Sequence, residues 1–362
     1  MKTYYIIPIL FILVFTACEK VIEFDKKLIQ PKLVINSFIT ADSIIDVKLA
    51  SSKTIPGVEH AFVWPDDAIV KLFVDGVETE TLSTYTIEYP ESDQFDYWGY
   101  TSDSRPTVGY HSSTTRAIAG KTYRLEVSHP NYESVSTETF IPQKVEIIAY
   151  SNEETTENQN GYDYTYQTFH IKFKDTEGEN NYYQLAIHSI SGSWSPNYKD
   201  ETDSSGVIYV SEYNVSNVSS DDRLLNPDQE DANDFLFGSP SNRYNLFTDE
   251  FIDGKEYDLS FSVDKNYYYY DDGSQTDSEK IGEFNRYTIT LKSITREAYL
   301  YLRSSYAQQW YGDDFFSEPV QAFSNVENGA GIFAGFNSAA FSVQQGEYPV
   351  DGVKYEYMNN YY

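Results

Sequence analysis

Ala68-Ile69-Val70-Lys71-Leu72-Phe73-Val74-Asp75-Gly76-Val77-Glu78-Thr79 is the stretch that decides the fold. An apolar, β-branched run meets Asp-Gly, the pair whose backbone readily takes the positive φ of a two-residue hairpin turn, and a second run follows. Upstream, Lys32 to Ile39 reads as a strand, with Ile44 to Leu49 as its hairpin partner across Ala41-Asp42-Ser43. Downstream, Lys121 to Val127 follows Gly120, and Tyr132 to Thr139 pairs with it after His129-Pro130-Asn131. Short strands separated by turn chemistry predict an antiparallel, immunoglobulin-like β-sandwich over residues 31–142, closed by Ile141-Pro142.

A second β unit is expected over residues 143–350. Its strands are Lys144 to Tyr150, Tyr166 to Phe173, Tyr182 to Ile190, Val207 to Val210, Tyr257 to Val263 and Phe284 to Leu291. Long polar insertions separate them: Ser151 to Asp163, Ser193 to Ser205, Asn214 to Pro240 and Tyr267 to Lys280. Loops of that length commonly carry function. One helix is expected over residues 295–309, because Tyr299, Leu302, Tyr306 and Trp310 recur at 3–4 spacing behind Thr295 and Glu297. A Gly-rich segment from Asn328 to Phe336 leads to a last strand near Ala340 to Val343, and residues 351–362 read as a frayed tail. The fold class is therefore all-β, two antiparallel sandwiches with one helix near the C-terminus of the second.

Composition fits that class. There are 34 Tyr and 22 Phe against 2 Met, the rings suiting the half-buried face of a sheet. The formal net charge is −30, which repels phosphate and excludes nucleic acid as a partner. Residues 1–17 read as a cleaved signal peptide: Lys2 supplies positive charge, and Ile6 to Phe15 form an apolar run too short to span a bilayer. That run closes on Phe15-Thr16-Ala17-Cys18, and Cys18 is the single cysteine of 362 residues. No intramolecular disulfide is available to it, so its thiol is assigned to lipidation. Residues 18–30 form a lipidated tether, and acyl chains rather than a basic patch hold the protein to membrane.

Several phrases resemble a known family. They are Cys18-Glu19-Lys20-Val21-Ile22 with Pro31 to Asn36; Gly120 to Val127; Phe173-Lys174-Asp175 with Asn180 to Leu185; Phe251 to Tyr257; and Glu318 to Gly329. Together they are similar to the lipoproteins of domain-of-unknown-function family 4249 from Bacteroidota. The resemblance implies an outer-membrane lipoprotein acting beside a TonB-dependent outer-membrane receptor, with no catalytic motif to carry over. Acid-rich residues after the lipidated cysteine, here Glu19, Glu23 and Asp25, mark surface-exposed lipoproteins of that phylum, so the cell surface is the expected location. Asp42-Ser43-Ile44 also matches that phylum's O-glycosylation pattern at Ser43.

No catalytic constellation stands out, so the chain is expected to be a non-catalytic binding component without a cofactor. His60, His111, His129, His170 and His188 are scattered, and only His170 and His188 fall in strands that could meet. Acidic loops at Asp221-Asp222, at Asp228 with Asp231, and at Asp271-Asp272 invite a calcium reading, but none has EF-hand order, and solvated charge explains them more simply. Trp194 and Tyr267-Tyr268-Tyr269-Tyr270 place amphipathic rings on predicted loops suited to protein or glycan recognition. The alternative for the tyrosine run is a strand with its rings packed on the sheet. For the whole protein, the alternatives are a free-standing surface binding lipoprotein or adhesin and, further off, a carboxylate hydrolase.

Overall fold

A computed structural model of the chain describes residues 31–52, 65, 67–87, 108–159, 161–194, 207–215, 218–226, 242–265, 282–311, 321–346 and 354–358. Cys18 and Tyr267 to Tyr270 lie outside them. The first half forms β1 (Leu33–Thr40), β2 (Ile44–Ser51), β3 (Ile69–Val74), β4 (Val77–Thr81), β5 (Ser83–Ile87), β6 (Val108–Arg116), β7 (Thr122–His129) and β8 (Tyr132–Phe140). The second forms β9 (Glu146–Gln159), β10 (Tyr162–Lys174), β11 (Tyr182–Trp194), β12 (Val207–Val215), β13 (Leu246–Thr248), β14 (Glu256–Asp264) and β15 (Gly282–Ile294). Helix α1 (Arg296–Tyr311), β16 (Ala330–Gly346) and β17 (Lys354–Met358) complete it.

The all-β class with one helix holds among the described residues. Alternation does the work that the sequence suggests: Leu33, Ile35, Ile39, Ile45, Val47 and Leu49 turn inward from β1 and β2. They meet Val70, Leu72, Leu125 and Val127 from a four-stranded sheet ordered β4-β3-β7-β8. A second core packs Phe169, Ile171, Phe173, Leu259 and Phe261, from a three-stranded sheet ordered β14-β10-β9, on Leu185, Ile187, Ile289 and Leu291. The Asp75-Gly76 turn forms with φ of 48° and 80°. Asp75 also accepts the Thr122 N–H at 3.1 Å, which ties the turn to β7.

One sheet serves both cores. Its order is β17-β12-β11-β15-β16-β1-β2-β6-β5, with β13 added to β11. The join is a parallel pairing of β1 with β16, Val34 opposite Ala330 through Thr40 opposite Phe336. The two expected sandwiches therefore share a sheet, and β1–β16 and β12–β17 depart from an all-antiparallel plan. Phe333 of β16 packs in the first core and Ala339 in the second, while Ile332 and Ala334 sit under α1 on the opposite face.

The Gly-rich segment does not merely lead to the last strand: from Ala330 on it is the first part of β16. A Cβ at Gly335 would run into the carbonyl oxygen of Phe140, and one at Gly331 into that of Ile35, so both positions need glycine for close backbone approach. The preceding phrase seals the same joint. Asn325 accepts the Phe333 N–H at 3.1 Å and donates to the Phe333 carbonyl at 2.7 Å, and the Thr137 hydroxyl donates to the Asn325 carbonyl at 3.0 Å.

Two further expectations are corrected, and two strands are added. Ser151 to Asp163 is a hairpin of β9 and β10 turning at Gly161, not an insertion loop. Every residue from Ile148 to Asn158 is exposed, so no apolar alternation marks the strand. β5 and β6 escape a sequence reading because they are rich in Ser and Thr, and the inward positions of β6 are His111 and Ser113 rather than apolar residues. In the expected frayed tail, Lys354–Met358 pairs with β12.

Candidate functional site

The strand directions give the second sandwich two distinct ends. At one, β11 finishes at Trp194 opposite Gly282 and Ile208, and β16 finishes at Gly346 opposite Phe284. β14 also ends here at Asp264, and Lys265 N–H donates to the Thr165 carbonyl at 2.8 Å. The chain leaves the described residues after Lys265, two positions before Tyr267. Trp194 and the approach to the tyrosine run thus share one end of one sandwich.

At the opposite end, three carboxylates converge. Asp175 follows β10, Asp249 follows β13, and Asp253 precedes β14; one oxygen of each lies within 4.8 Å of the others. Asp175 is 2% exposed and accepts the Tyr183 hydroxyl at 2.5 Å and the Gly254 N–H at 2.9 Å. Asp249 accepts the Asn181 N–H at 2.7 Å, and Asp253 accepts the Gly178 N–H at 2.8 Å. Burial pushes the Asp175 carboxyl above its usual range; the bonds from Tyr183 and Gly254 pull it back, and the Asp249 and Asp253 charges push it up again. Burial together with that carboxylate raises the Tyr183 phenol. Oxygen donors this close suit a hard cation. The bonds in place, however, are those of a clamp joining the 175–182 turn to the 249–255 turn.

The acidic pair Asp221-Asp222 is also partly internal. Asp222 accepts the Leu224 N–H and the Tyr257 hydroxyl, both at 2.9 Å, so it orders a turn rather than facing solvent as bare charge. Tyr257 is pushed up to about 12 by burial and by that carboxylate. Asp228, Asp231 and Asp271-Asp272 lie outside the described residues.

His170 and His188 do not meet. His170 belongs to the three-stranded sheet, 4.0 Å from Glu153, and His188 to the large sheet, 3.0 Å from Glu212. His111 is buried in β6, and burial lowers its affinity for a proton. Ser43 sits half-buried in the β1–β2 turn, its carbonyl accepting the Ala117 N–H at 2.9 Å. No helix among the described residues is long and apolar enough to cross a membrane.

Comparison with known families adds one match: the pattern described as Domain of unknown function (DUF4249) covers residues 19–342. The chain belongs to that family. No curated protein matches it. The DUF4249 span includes the aspartate clamp, the joint at β16 and Trp194. Three of the phrases carrying the resemblance, around Asp175, Tyr183 and Asp253, come together in the clamp. Asp249 escapes sequence reasoning because its neighbours carry no recognisable spacing; only the fold brings it to Asp175.

Proposed function

We propose that this DUF4249 protein is a non-catalytic lipoprotein, anchored in the outer membrane through Cys18 and facing the cell surface. There it serves as an accessory of a TonB-dependent receptor. The observation that supports this reading best is the separation of tether from recognition end. The tether enters at Leu33, where β1 starts beside Ala330 at the beginning of β16. Trp194 lies past the other end of β16, a 17-residue strand and therefore roughly 50 Å away at about 3.3 Å per residue. A chain held at one end by lipid presents the other end to a partner.

The anchor is tested by replacement of Cys18 with Ser. The variant should accumulate as unprocessed precursor and take up no radioactive fatty acid, whereas the wild type is labelled. A variant that is still cleaved, beside a wild type without lipid, would refute the anchor. Protease added to intact cells should digest the mature chain; a chain protected until the outer membrane is breached belongs in the periplasm.

A further inference from the structure

Pairing along β16 changes sides at Phe336. β1 lies against one edge from Ala330 to Phe336 and then turns away into β2, while β15 lies against the other edge from Phe336 to Gly346. Beyond Phe336 no strand among the described residues takes up the edge that β1 leaves. The Asn337 side chain marks the parting: it donates to the Pro142 carbonyl at 3.3 Å and accepts the Ser338 N–H at 2.9 Å. The Gly335 carbonyl accepts the N–H of Thr295, the residue that directly follows β15, so Gly335 bonds towards the β15 side. Backbone groups alternate in direction along a strand, so Ala340, Ser342 and Gln344 present their N–H and C=O to the open edge. All three residues are exposed. Natural edges are blunted by charge, proline or bulges. Residues 339–346, Ala-Ala-Phe-Ser-Val-Gln-Gln-Gly, hold neither charge nor proline and pair with β15 without a register shift.

The space beside this edge is roofed and apolar. β10 lies above β15 and the end of β16: Phe169 packs on Tyr287 at 5.4 Å, and the Gln345 amide donates to the Gln167 side chain. β9, the next strand of that sheet, lies about 4.8 Å farther out, over the open edge. Tyr150 of β9 stacks on Phe341 with centroids 3.9 Å apart, yet remains 51% exposed, and Ile148 is 42% exposed. Unpaired backbone and uncovered apolar side chains thus occur on the same flank.

We infer that residues 339–346 take an extended segment of the partner protein as an added strand, in line with β1 and beneath β9. Its inward side chains are apolar and its outward ones neutral or basic. Main-chain bonds to Ala340, Ser342 and Gln344 supply affinity, and the inward side chains cover Tyr150 and Phe341. An acidic segment is disfavoured by the net charge of −30 and by Glu153 and Glu157 on β9. A second copy is disfavoured too. Two such edges that keep their inner faces on one side pair antiparallel, which sends the two Leu33 ends, where the proposed tethers would enter, in opposite directions. The source of the strand rests on the accessory role proposed above; the open edge does not.

The test adds a synthetic peptide, Lys-Val-Thr-Val-Thr-Val-Thr-Val-Lys, to the full chain and follows amide hydrogen exchange by NMR. The peptide should slow exchange at Ala340, Ser342 and Gln344 at least tenfold. Ser342→Pro removes one edge donor that β15 does not use, a place where proline is tolerated, and should weaken the peptide at least tenfold. Tyr150→Ala leaves the large sheet untouched and should weaken it about threefold or more through the lost ring. Unchanged exchange at the three amides, protection at another edge instead, or equal binding by Ser342→Pro would overturn the inference. So would a dimeric wild type that Ser342→Pro makes monomeric, because a second copy would then hold the edge. Capture from outer-membrane extracts separates the two readings: a receptor retained equally by wild type and Ser342→Pro rejects this docking mode alone. A peptide that binds as expected, with no receptor captured by either protein, rejects the accessory role and leaves the edge site standing.

Discussion

Glu80 shows how a single exposed-looking acid holds two sheets together. It projects from β4 of the four-stranded sheet, and its carboxylate accepts the Thr114 N–H at 2.9 Å, the Thr114 hydroxyl at 2.8 Å and the Thr115 N–H at 2.9 Å, all from β6. Burial raises its proton affinity, but the bonds from Thr114 and Thr115 outweigh that and hold it below its ordinary 4.5. A carboxyl lowered on folding stabilises at pH values above its unfolded pKa, and that contribution is lost as pH falls through the folded value. Glu80→Gln should therefore melt lower at pH 7, by an amount corresponding to about 1 kcal/mol after allowance for solvent screening. The gap should narrow below pH 4.5, so melting curves across pH 3–7 that stay parallel would contradict the role. Nothing in the sequence singles out Glu80 among 56 acids, because its partners come from a strand that the sequence does not announce. Trp194 and Ser43, by contrast, stand out in the sequence itself, one by residue type and the other by its local pattern.

Among the elements, those with one face buried are legible in the sequence. β1, β2, β7 and β14 alternate apolar and polar residues as half-buried strands must. The β9–β10 hairpin projects beyond its core, so the environment that writes alternation into sequence is missing there. In β16 the glycines serve close backbone approach, a long-range demand invisible locally. Helix α1 is readable from both periodicity and cap: the Thr295 hydroxyl accepts the Ala298 N–H at 3.3 Å, and Thr295 N–H donates to the Gly335 carbonyl at 3.1 Å. Thr295→Ala should cost about 1 kcal/mol, as loss of an N-cap typically does, and Thr295→Ser should restore most of it. Chemical denaturation midpoints of the three proteins decide this; an alanine variant as stable as the wild type would show that the cap does not matter.

At the scale of the whole molecule, the parallel pairing of β1 with β16 turns two sandwiches into one continuous body, with Leu33, where the proposed tether would enter, at one end of β16 and Trp194 past the other. The pairing joins residues near opposite ends of the chain, and no local pattern in either strand identifies the other. The sequence therefore yields two correct cores without the join between them. Rigidity along that axis matters to the proposed role, because a lipid-held body can direct a binding end outward only if it does not fold back at a hinge. Aromatic rings at such an end can dominate an interface, with losses of about 2 kcal/mol or more for each hot-spot ring removed. The most direct measurement is affinity capture from outer-membrane extracts, using the tagged full chain and its Tyr268→Ala, Tyr270→Ala double variant. A TonB-dependent receptor, identified by mass spectrometry, should be retained by the wild type and lost by the variant while the melting temperatures agree within about 1 °C, well inside the several degrees that unpacking core rings would produce. Absence of any such receptor from the wild-type eluate, or a variant that loses folding and capture together, would contradict the account.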